Sequence, residues 1–302
     1  MTKYLSIDIG GTNVKYAELN EAGDVITKDK VKTEHNLDDF LAEIDQIVDK
    51  FQADGLSGIA FCAPGKIDDT TIRFGGALPF LDGVDFAKRY EKLGLPVAVV
   101  NDGKASALAE SWLGNLQGVK NGAAIVLGTG VGGGIIVNGQ LLDGEHFQAG
   151  ELSFGILNVD KTGFDATVGS YGSAVGMIER VNQAIGNEGT TDGLAAFDAI
   201  NAGKPEAVAI FKNYCKNVAY LILNVQSVVD LKRIVIGGGI SAQDAVIEGI
   251  REAINEIREE NPIVKMTLTP PEIVRAQFMN TANIYGALYN LLLKVEANGR
   301  KF

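Results

Sequence analysis

The chain has 302 residues and a net charge of −11, from 27 Lys and Arg against 38 Asp and Glu. Its length suits one large domain or two moderate ones, and a hydrophobic content of 46% allows a sizeable core. The acidic balance argues against nucleic-acid binding, which needs a basic patch for phosphate contacts; it reads first as solubility and leaves open local binding of ATP through glycine loops and magnesium. The two cysteines, Cys62 and Cys215, fit buried thiols in a reducing cytoplasm. They lack zinc-ligand spacing. No apolar run has the length of a membrane span, and Lys3 is followed at once by a strand-and-turn pattern, so no signal peptide is expected. The expectation is a cytoplasmic protein with no membrane partner.

In chain order, the apolar runs 4–9 and 14–19 flank Asp8-Ile9-Gly10-Gly11-Thr12-Asn13, which reads as strand, tight turn, strand. A further strand is expected over 24–32. Asn36 is placed as an N-cap, and Leu37, Phe40, Leu41, Ile44, Ile47, Val48 and Phe51 share one helical face after it. A buried strand over 58–62 ends at Ala63-Pro64-Gly65, and another over 96–100 ends at Asn101-Asp102, with a helix over 104–113. The theme then restarts: strand 123–127, the run Leu127-Gly128-Thr129-Gly130-Val131-Gly132-Gly133-Gly134, and strand 135–137. The likeness of 5–19 to 124–137 is weak in identity and clear in layout, which reads as a duplicated α/β lobe. A long helix over 206–229 leads to a strand over 233–236, Gly237-Gly238-Gly239, and a helix over 242–260 with Ser241 and Asp244 at its N-cap and N3 positions. A short strand near Ile273 and a last helix from about Ala282 complete the layout.

Each glycine-rich turn can bring backbone N–H groups close to an anion, because no Cβ stands in the way. The threonines add hydroxyl donors, and Asp8 can hold a metal or its water. Two such turns facing one cleft would grip a polyphosphate, which points to phosphoryl transfer. Gly128–Gly133 also matches G-x-G-x-x-G, but that fingerprint needs a helix after the turn, and a strand is expected here. No G-x-x-x-x-G-K-[ST] occurs, so a P-loop is excluded. Gly237-Gly238-Gly239 follows a strand and precedes a helix, which suits a ribose or phosphate or a plain tight turn. Asn101-Asp102, at a strand end where open α/β folds place ligands, reads equally as a helix cap or as a base with a sugar-orienting amide. Glu151 suits sugar hydroxyls or a plain surface position. His146 and His35 read as structural or solvated.

Taken together, these motifs resemble the ROK family of bacterial sugar kinases, within the actin-like ATPase and hexokinase superfamily. The resemblance covers nearly the whole chain. Asp8–Asn13 with Lys15 is similar to the family's first phosphate motif, Ala63-Pro64-Gly65 to its turn near the substrate, and Asn101-Asp102 to its N-D pair, which implies that Asp102 is the general base. Residues 127–133 are similar to the second phosphate motif, Gly150-Glu151 to the start of the G-E-x-G-H sugar segment, 236–241 to the adenosine-side motif, and 282–287 to the A-G-L-x-G-A element. The implied fold is α/β, with two duplicated actin-like (ribonuclease H-like) lobes and an inter-lobe active-site cleft. The expected lobes are residues 1–112, with the final helix of about 282–302 packed back on them, and residues 113–281.

Departures from the family pattern bear on the acceptor. Ser153-Phe154 stand where the family has G-H, the cysteine-rich zinc motif is absent, and Gly169 stands where a second sugar-binding glutamate is expected. The chain therefore resembles a zinc-free subgroup whose members include kinases for N-acetylmannosamine, for β-glucosides and for hexoses more broadly. What the resemblance implies is an ATP-dependent kinase acting on the 6-hydroxyl of a hexose or hexose derivative. Asn101, Glu151 and Gly65 would meet the substrate. Asp8, Gly10, Gly11, Thr12, Asn13, Lys15, Gly128, Thr129, Gly130, Gly237, Gly238 and Gly239 would meet ATP and its phosphates. Magnesium would be held by Asp8 through water, with no zinc site, in a homodimer. Two alternatives are weighed. A sugar-sensing regulator would carry a helix-turn-helix ahead of a motif that here begins at Asp8, and would need a basic reading element. A polyphosphate donor would leave the Gly237 loop without its nucleoside.

Overall fold

A computed structural model describes residues 2–53 and 55–299. They fall into two compact lobes. The first gathers the described residues of Met1–Trp112, Asp143–Ala149 and Thr281–Phe302, the second those of Leu113–Leu142 and Gly150–Asn280.

In the first lobe the chain runs through β1 (Tyr4–Ile9), β2 (Asn13–Leu19), β3 (Val25–Lys32), α1 (Leu37–Gln52) and β4 (Gly58–Ala63). It continues through a small hairpin of β5 (Lys66–Asp68) and β6 (Thr71–Arg73), then α2 (Phe86–Arg89), β7 (Val97–Asn101) and α3 (Asp102–Leu113). The sheet order is β3-β2-β1-β4-β7, with β1, β4 and β7 parallel and β2 and β3 antiparallel. Every residue of β1 and β4 is buried, as expected of parallel strands covered on both faces. The odd-numbered face of β1 (Leu5, Ile7, Ile9) packs in one core with Phe40, Ile44 and Phe61. Asn36 does cap α1, its side-chain oxygen accepting from the Asp39 N–H at 2.9 Å.

The second lobe repeats the plan. It contains β8 (Gly122–Leu127), β9 (Val131–Val137), β10 (Gln140–Leu141), α4 (Val168–Tyr171), α5 (Ala174–Ala184), α6 (Gly193–Asn201), α7 (Pro205–Val229), β11 (Arg233–Gly237), α8 (Asp244–Glu260), α9 (Pro262–Thr267) and β12 (Glu272–Arg275). Its sheet order, β10-β9-β8-β11-β12, has the same antiparallel and parallel neighbours as the first. The duplicated, ribonuclease H-like α/β plan is therefore real at the level of topology. The chain then returns to the first lobe as α10 (Ala282–Ala297), which packs on β1, β4 and β7. There the Ser6 hydroxyl donates to the Ile284 carbonyl at 2.7 Å. Residues 300–302 of the expected last helix lie outside the described residues.

Two local expectations need correction. The glycine run after Leu127 is only partly a turn: β9 begins at Val131, and Gly132, Gly133 and Gly134 are strand residues opposite Val126, Ile125 and Ala124. A Cβ on Gly133 would crowd Leu152 and the Gly150 carbonyl, so that glycine makes room for a passing segment. Ser241 does not cap the helix after it. Residues Gly239–Ala242 form a 3-10 turn, α8 starts at Asp244, and the Ser241 hydroxyl donates back to the Gly238 carbonyl at 2.8 Å.

Candidate functional site

In the first lobe the candidate residues gather at the carboxyl ends of the parallel strands, where α/β sheets bind ligands. Asp8 pairs in register with Cys62 on β4, and Ala63 pairs with Asn101 on β7. Because side chains alternate along a strand, Asp8 shares the face of Ser6, toward α10. It is 5% exposed. Its Oδ1 accepts from Asn283 Nδ2 at 2.9 Å, and Lys15 Nζ stands 3.5 Å from its Oδ2. Burial pushes the Asp8 carboxyl above its ordinary range, and Asn283 and Lys15 oppose that shift.

Asp102 is the first residue of α3. It is open to solvent. Desolvation by neighbouring protein raises its carboxyl above the usual range; the Gly103 N–H, donating to Oδ1 at 2.8 Å, pulls it down, and the Asp8 charge pushes it up again. Asn101 is engaged at both ends of its amide: Nδ2 donates to the Gly65 carbonyl at 2.9 Å and Oδ1 accepts from the Gly103 N–H at 2.9 Å. Gly65 has φ +90°, and a Cβ there would collide with the Phe74 carbonyl, so a side chain is barred. Asn101 thus ties the Gly65 turn to the start of the Asp102 helix.

The first glycine turn, at Gly10–Asn13, is braced from behind. The Gly10 N–H donates to the Asn13 carbonyl at 3.1 Å, the Thr33 N–H to the Thr12 carbonyl at 3.0 Å, and the Thr33 hydroxyl to the Gly10 carbonyl at 2.7 Å. Gly11 and Thr12 are left exposed at the tip.

In the second lobe, Gly128 and Gly239 line a pocket of about 490 Å³ whose walls include Val175, Ile178, Leu194, Phe197 and Gln243. The three glycines of Gly237–Gly239 differ in what holds them. Gly238 has φ +92°, and its Cβ would collide with the Leu127 backbone; Gly237 would make ordinary contacts; Gly239 faces open space, as does Gly128. Nothing in the fold bars a side chain at Gly128 or Gly239, so their bareness keeps room inside the pocket. The second turn is short and tied: the Gly128 N–H donates to the Gly130 carbonyl at 3.0 Å, and the Gly128 carbonyl accepts from the N–H groups of Ala174 and Val175 at the start of α5. Thr129 is exposed at its tip. Glu151 is half-buried ahead of a 3-10 turn, Leu152–Phe154. Phe154 is exposed, and the Phe164 ring stands 3.1 Å from where a Gly169 Cβ would lie. His146 and His35 are exposed.

Among the described residues no group of three or more His, Cys, Asp or Glu could hold a metal. The buried Asp8 carboxylate still fits magnesium. This hard cation takes oxygen ligands, keeps several waters, and needs only one or two carboxylates beside a substrate's phosphates.

Several of these residues escaped the reading of the sequence. Asn283 meets Asp8 from 275 residues away, and no local pattern announces it. The pocket walls come from α5 and α6. Their start signals, Ser173 accepting from the Gly176 N–H and Asp192 accepting from the N–H groups of Leu194 and Ala195, were there to find.

A model described as the ROK family matches residues 4–294. The chain belongs to the ROK family. A glucokinase from Halalkalibacterium halodurans is 31% identical over 278 residues, 82% of this chain and 84% of that protein. A beta-glucoside kinase from Listeria innocua is 28% identical over 299 residues, 96% of this chain and 97% of that one. The structure of a ROK family protein from Streptococcus pneumoniae in complex with sucrose matches with a TM-score of 0.87 at 28% identity, covering 98% of this chain and 100% of that chain. The actin-like, two-lobed α/β fold of this ROK chain accords with that match, and among the described residues no helix is long and apolar enough to cross a membrane.

Proposed function

We propose that this ROK chain is an ATP-dependent sugar kinase that phosphorylates the 6-hydroxyl of a hexose or hexose derivative, with N-acetylmannosamine and β-glucosides as the alternative acceptors. The observation that carries the reading is the pocket lined by Gly128 of the second phosphate turn and Gly239 of the adenosine-side motif, both bare where the fold would admit a side chain. Its apolar walls suit a base and ribose, and its glycine turn suits phosphates. The kinase names of the relatives, over most of this chain, support the reaction class.

In this reading Asp102 is the base. Its carboxylate holds the attacking hydroxyl and takes the proton as the sugar oxygen bonds to the γ-phosphorus and the bond to the ADP oxygen breaks. A carboxyl raised above its ordinary range is a better proton acceptor near neutral pH. Asn101 fixes the Gly65 turn beside it, and Glu151 accepts from sugar hydroxyls. Gly10, Gly11, Thr12, Asn13, Lys15, Gly128, Thr129 and Gly130 are the phosphate-binding residues of this reading. Little covalent chemistry falls to the protein, so positioning and charge stabilisation supply most of the rate. Magnesium, when bound through Asp8 and water, supplies positive charge against that of the transferred group. A homodimer, which rests on the family resemblance, and a cytoplasmic location, which rests on the cysteine usage and the start of the sequence, belong to the same reading.

The test is ADP release with magnesium and ATP against glucose, N-acetylmannosamine, fructose, mannose and cellobiose, with polyphosphate as a second donor. One sugar should be strongly preferred. Asp102→Asn should lower kcat by about 10²–10⁴-fold with sugar binding retained; unchanged turnover in that variant would remove Asp102 from its role.

A further inference from the structure

We propose that Ser153 is a positioning residue that couples the acceptor segment to the second phosphate turn, so that a bound acceptor tightens the hold on the nucleotide. The inference rests on the kinase reading above.

The Ile135 carbonyl accepts from the Leu142 N–H, so Ile135 points its backbone polar groups away from β8. In an antiparallel pair that direction alternates, so Gly133 and Val131 point the same way. β10 covers this edge only opposite Ile136 and Val137. Nearer the turn the segment from Gly150 takes its place, its carbonyl lying 3.1 Å from where a Gly133 Cβ would be. At Val131 a single side chain satisfies both backbone groups: Ser153 Oγ accepts from the Val131 N–H at 2.8 Å and donates to the Val131 carbonyl at 3.1 Å. Val131 is 2% exposed, so water is poorly placed to substitute, and an unmet buried backbone group is costly. Gly130 supports the same assignment, because a Cβ there would lie 2.8 Å from Ser153 Oγ. The turn gives up a side chain where the hydroxyl sits.

The turn Gly128–Gly130 is thus held at two ends. One end is the Gly128 carbonyl, fixed by the start of α5. The other is Val131, fixed by one hydroxyl. That hydroxyl belongs to the 3-10 turn that follows Glu151, the residue assigned to the sugar. Ordering of Glu151 by an acceptor orders Ser153 two residues on, and Ser153 orders the phosphate turn. The coupling is reciprocal, as any coupling of two binding events must be.

The test uses the full-length protein. Ser153→Ala and Ser153→Gly remove the hydroxyl, and Ser153→Thr keeps it. Magnesium-ADP affinity is measured by calorimetry with and without saturating glucose, N-acetylmannosamine or cellobiose, whichever supports turnover, beside KM for ATP, kcat and Tm. In the wild type the sugar should tighten ADP by about fivefold or more. In Ser153→Ala and Ser153→Gly that factor should fall to about one, with KM for ATP raised about tenfold, and Ser153→Thr should restore both. A merely structural serine would lower Tm and scale kcat with the folded fraction while leaving the coupling factor and KM for ATP in place, which would overturn the proposal. So would a wild type without coupling, or a Ser153→Thr variant that behaves like Ser153→Ala. If Ser153→Gly fails to fold, the comparison of Ala with Thr decides. A wild type that releases no ADP with any sugar or donor overturns the kinase reading itself, a result separable from normal turnover without coupling.

Discussion

Asp8 carries two opposing demands. As a phosphate-side residue in the proposed kinase it must be charged, yet it is buried, and burial raises its carboxyl above the ordinary range in spite of Asn283 and Lys15. A carboxyl raised in the folded state binds its proton more tightly there than in the unfolded chain. Stability therefore falls as pH rises through the window between the unfolded and the folded pKa, and the penalty is fully present above it. Asp8→Asn should then raise Tm at pH 7 by about 2 °C while lowering turnover. The gain should shrink as pH falls through the window and vanish below the ordinary carboxylate range. Thermal melts of both proteins across pH 3–8, a range chosen to span about that window, check the sign; a variant less stable at pH 7 would show that the Asn283 and Lys15 contacts outweigh desolvation. Cys62 shows the same field: burial, then the charges of Asp8 and Asp102, push its thiol well up, so it is a packing residue and not a nucleophile.

At the scale of elements, the glycines separate into those whose place the fold closes to a side chain and those where it leaves room for one. Gly238 turns the chain from β11 toward α8 with positive φ, against the Leu127 backbone. Gly238→Ala should cost about 3 kcal/mol or more, seen as a large drop in Tm. A Cβ on Gly128 would meet nothing within 4 Å, so Gly128→Ala should leave Tm within about 2 °C and raise KM for ATP. Equal melting temperatures for the two variants would contradict this division. The same logic explains why α10 can lie so close to α3: a Cβ on Gly286 would collide with the Ala105 carbonyl. That approach brings Asn283 to Asp8 and stacks Tyr289 on Trp112 with ring centroids 5.1 Å apart.

At the scale of the whole molecule, each lobe repeats one sheet order and carries one share of the proposed chemistry, Asp8 and Asp102 in the first and the glycine-lined pocket in the second. A nucleotide that binds only the folded chain must stabilise it by mass action, by about 2.7 kcal/mol at 100 times its Kd. Magnesium-ADP should therefore raise Tm, and removing magnesium with EDTA should reverse most of the rise. A Tm indifferent to ADP at millimolar concentration would count against the proposed nucleotide site.

Much of this was legible before the fold was known, for physical reasons that are local. A strand's burial, the cap at Asn36 and the Gly-Thr turns after Asp8 and Leu127 are written in neighbouring residues, and so was the repeated β-turn-β layout from which the two lobes follow. The motifs likewise placed the chain among ROK proteins, and the family match bears that out. The misassigned cap at Ser241 shows the limit of local signals: the turn forced by Gly238 delays the helix, and the serine hydroxyl is spent on that turn. Only the tertiary structure decided that Asn283 holds Asp8, that Asn101 ties the Gly65 turn, that α5 and α6 wall the pocket, and that Ser153 closes the edge of β9. Asn283 and Asp8 lie 275 positions apart, Asn101 and Gly65 36, and Ser153 and Val131 22. Such contacts depend on how sheets and helices stack, and no periodicity within a single element encodes them.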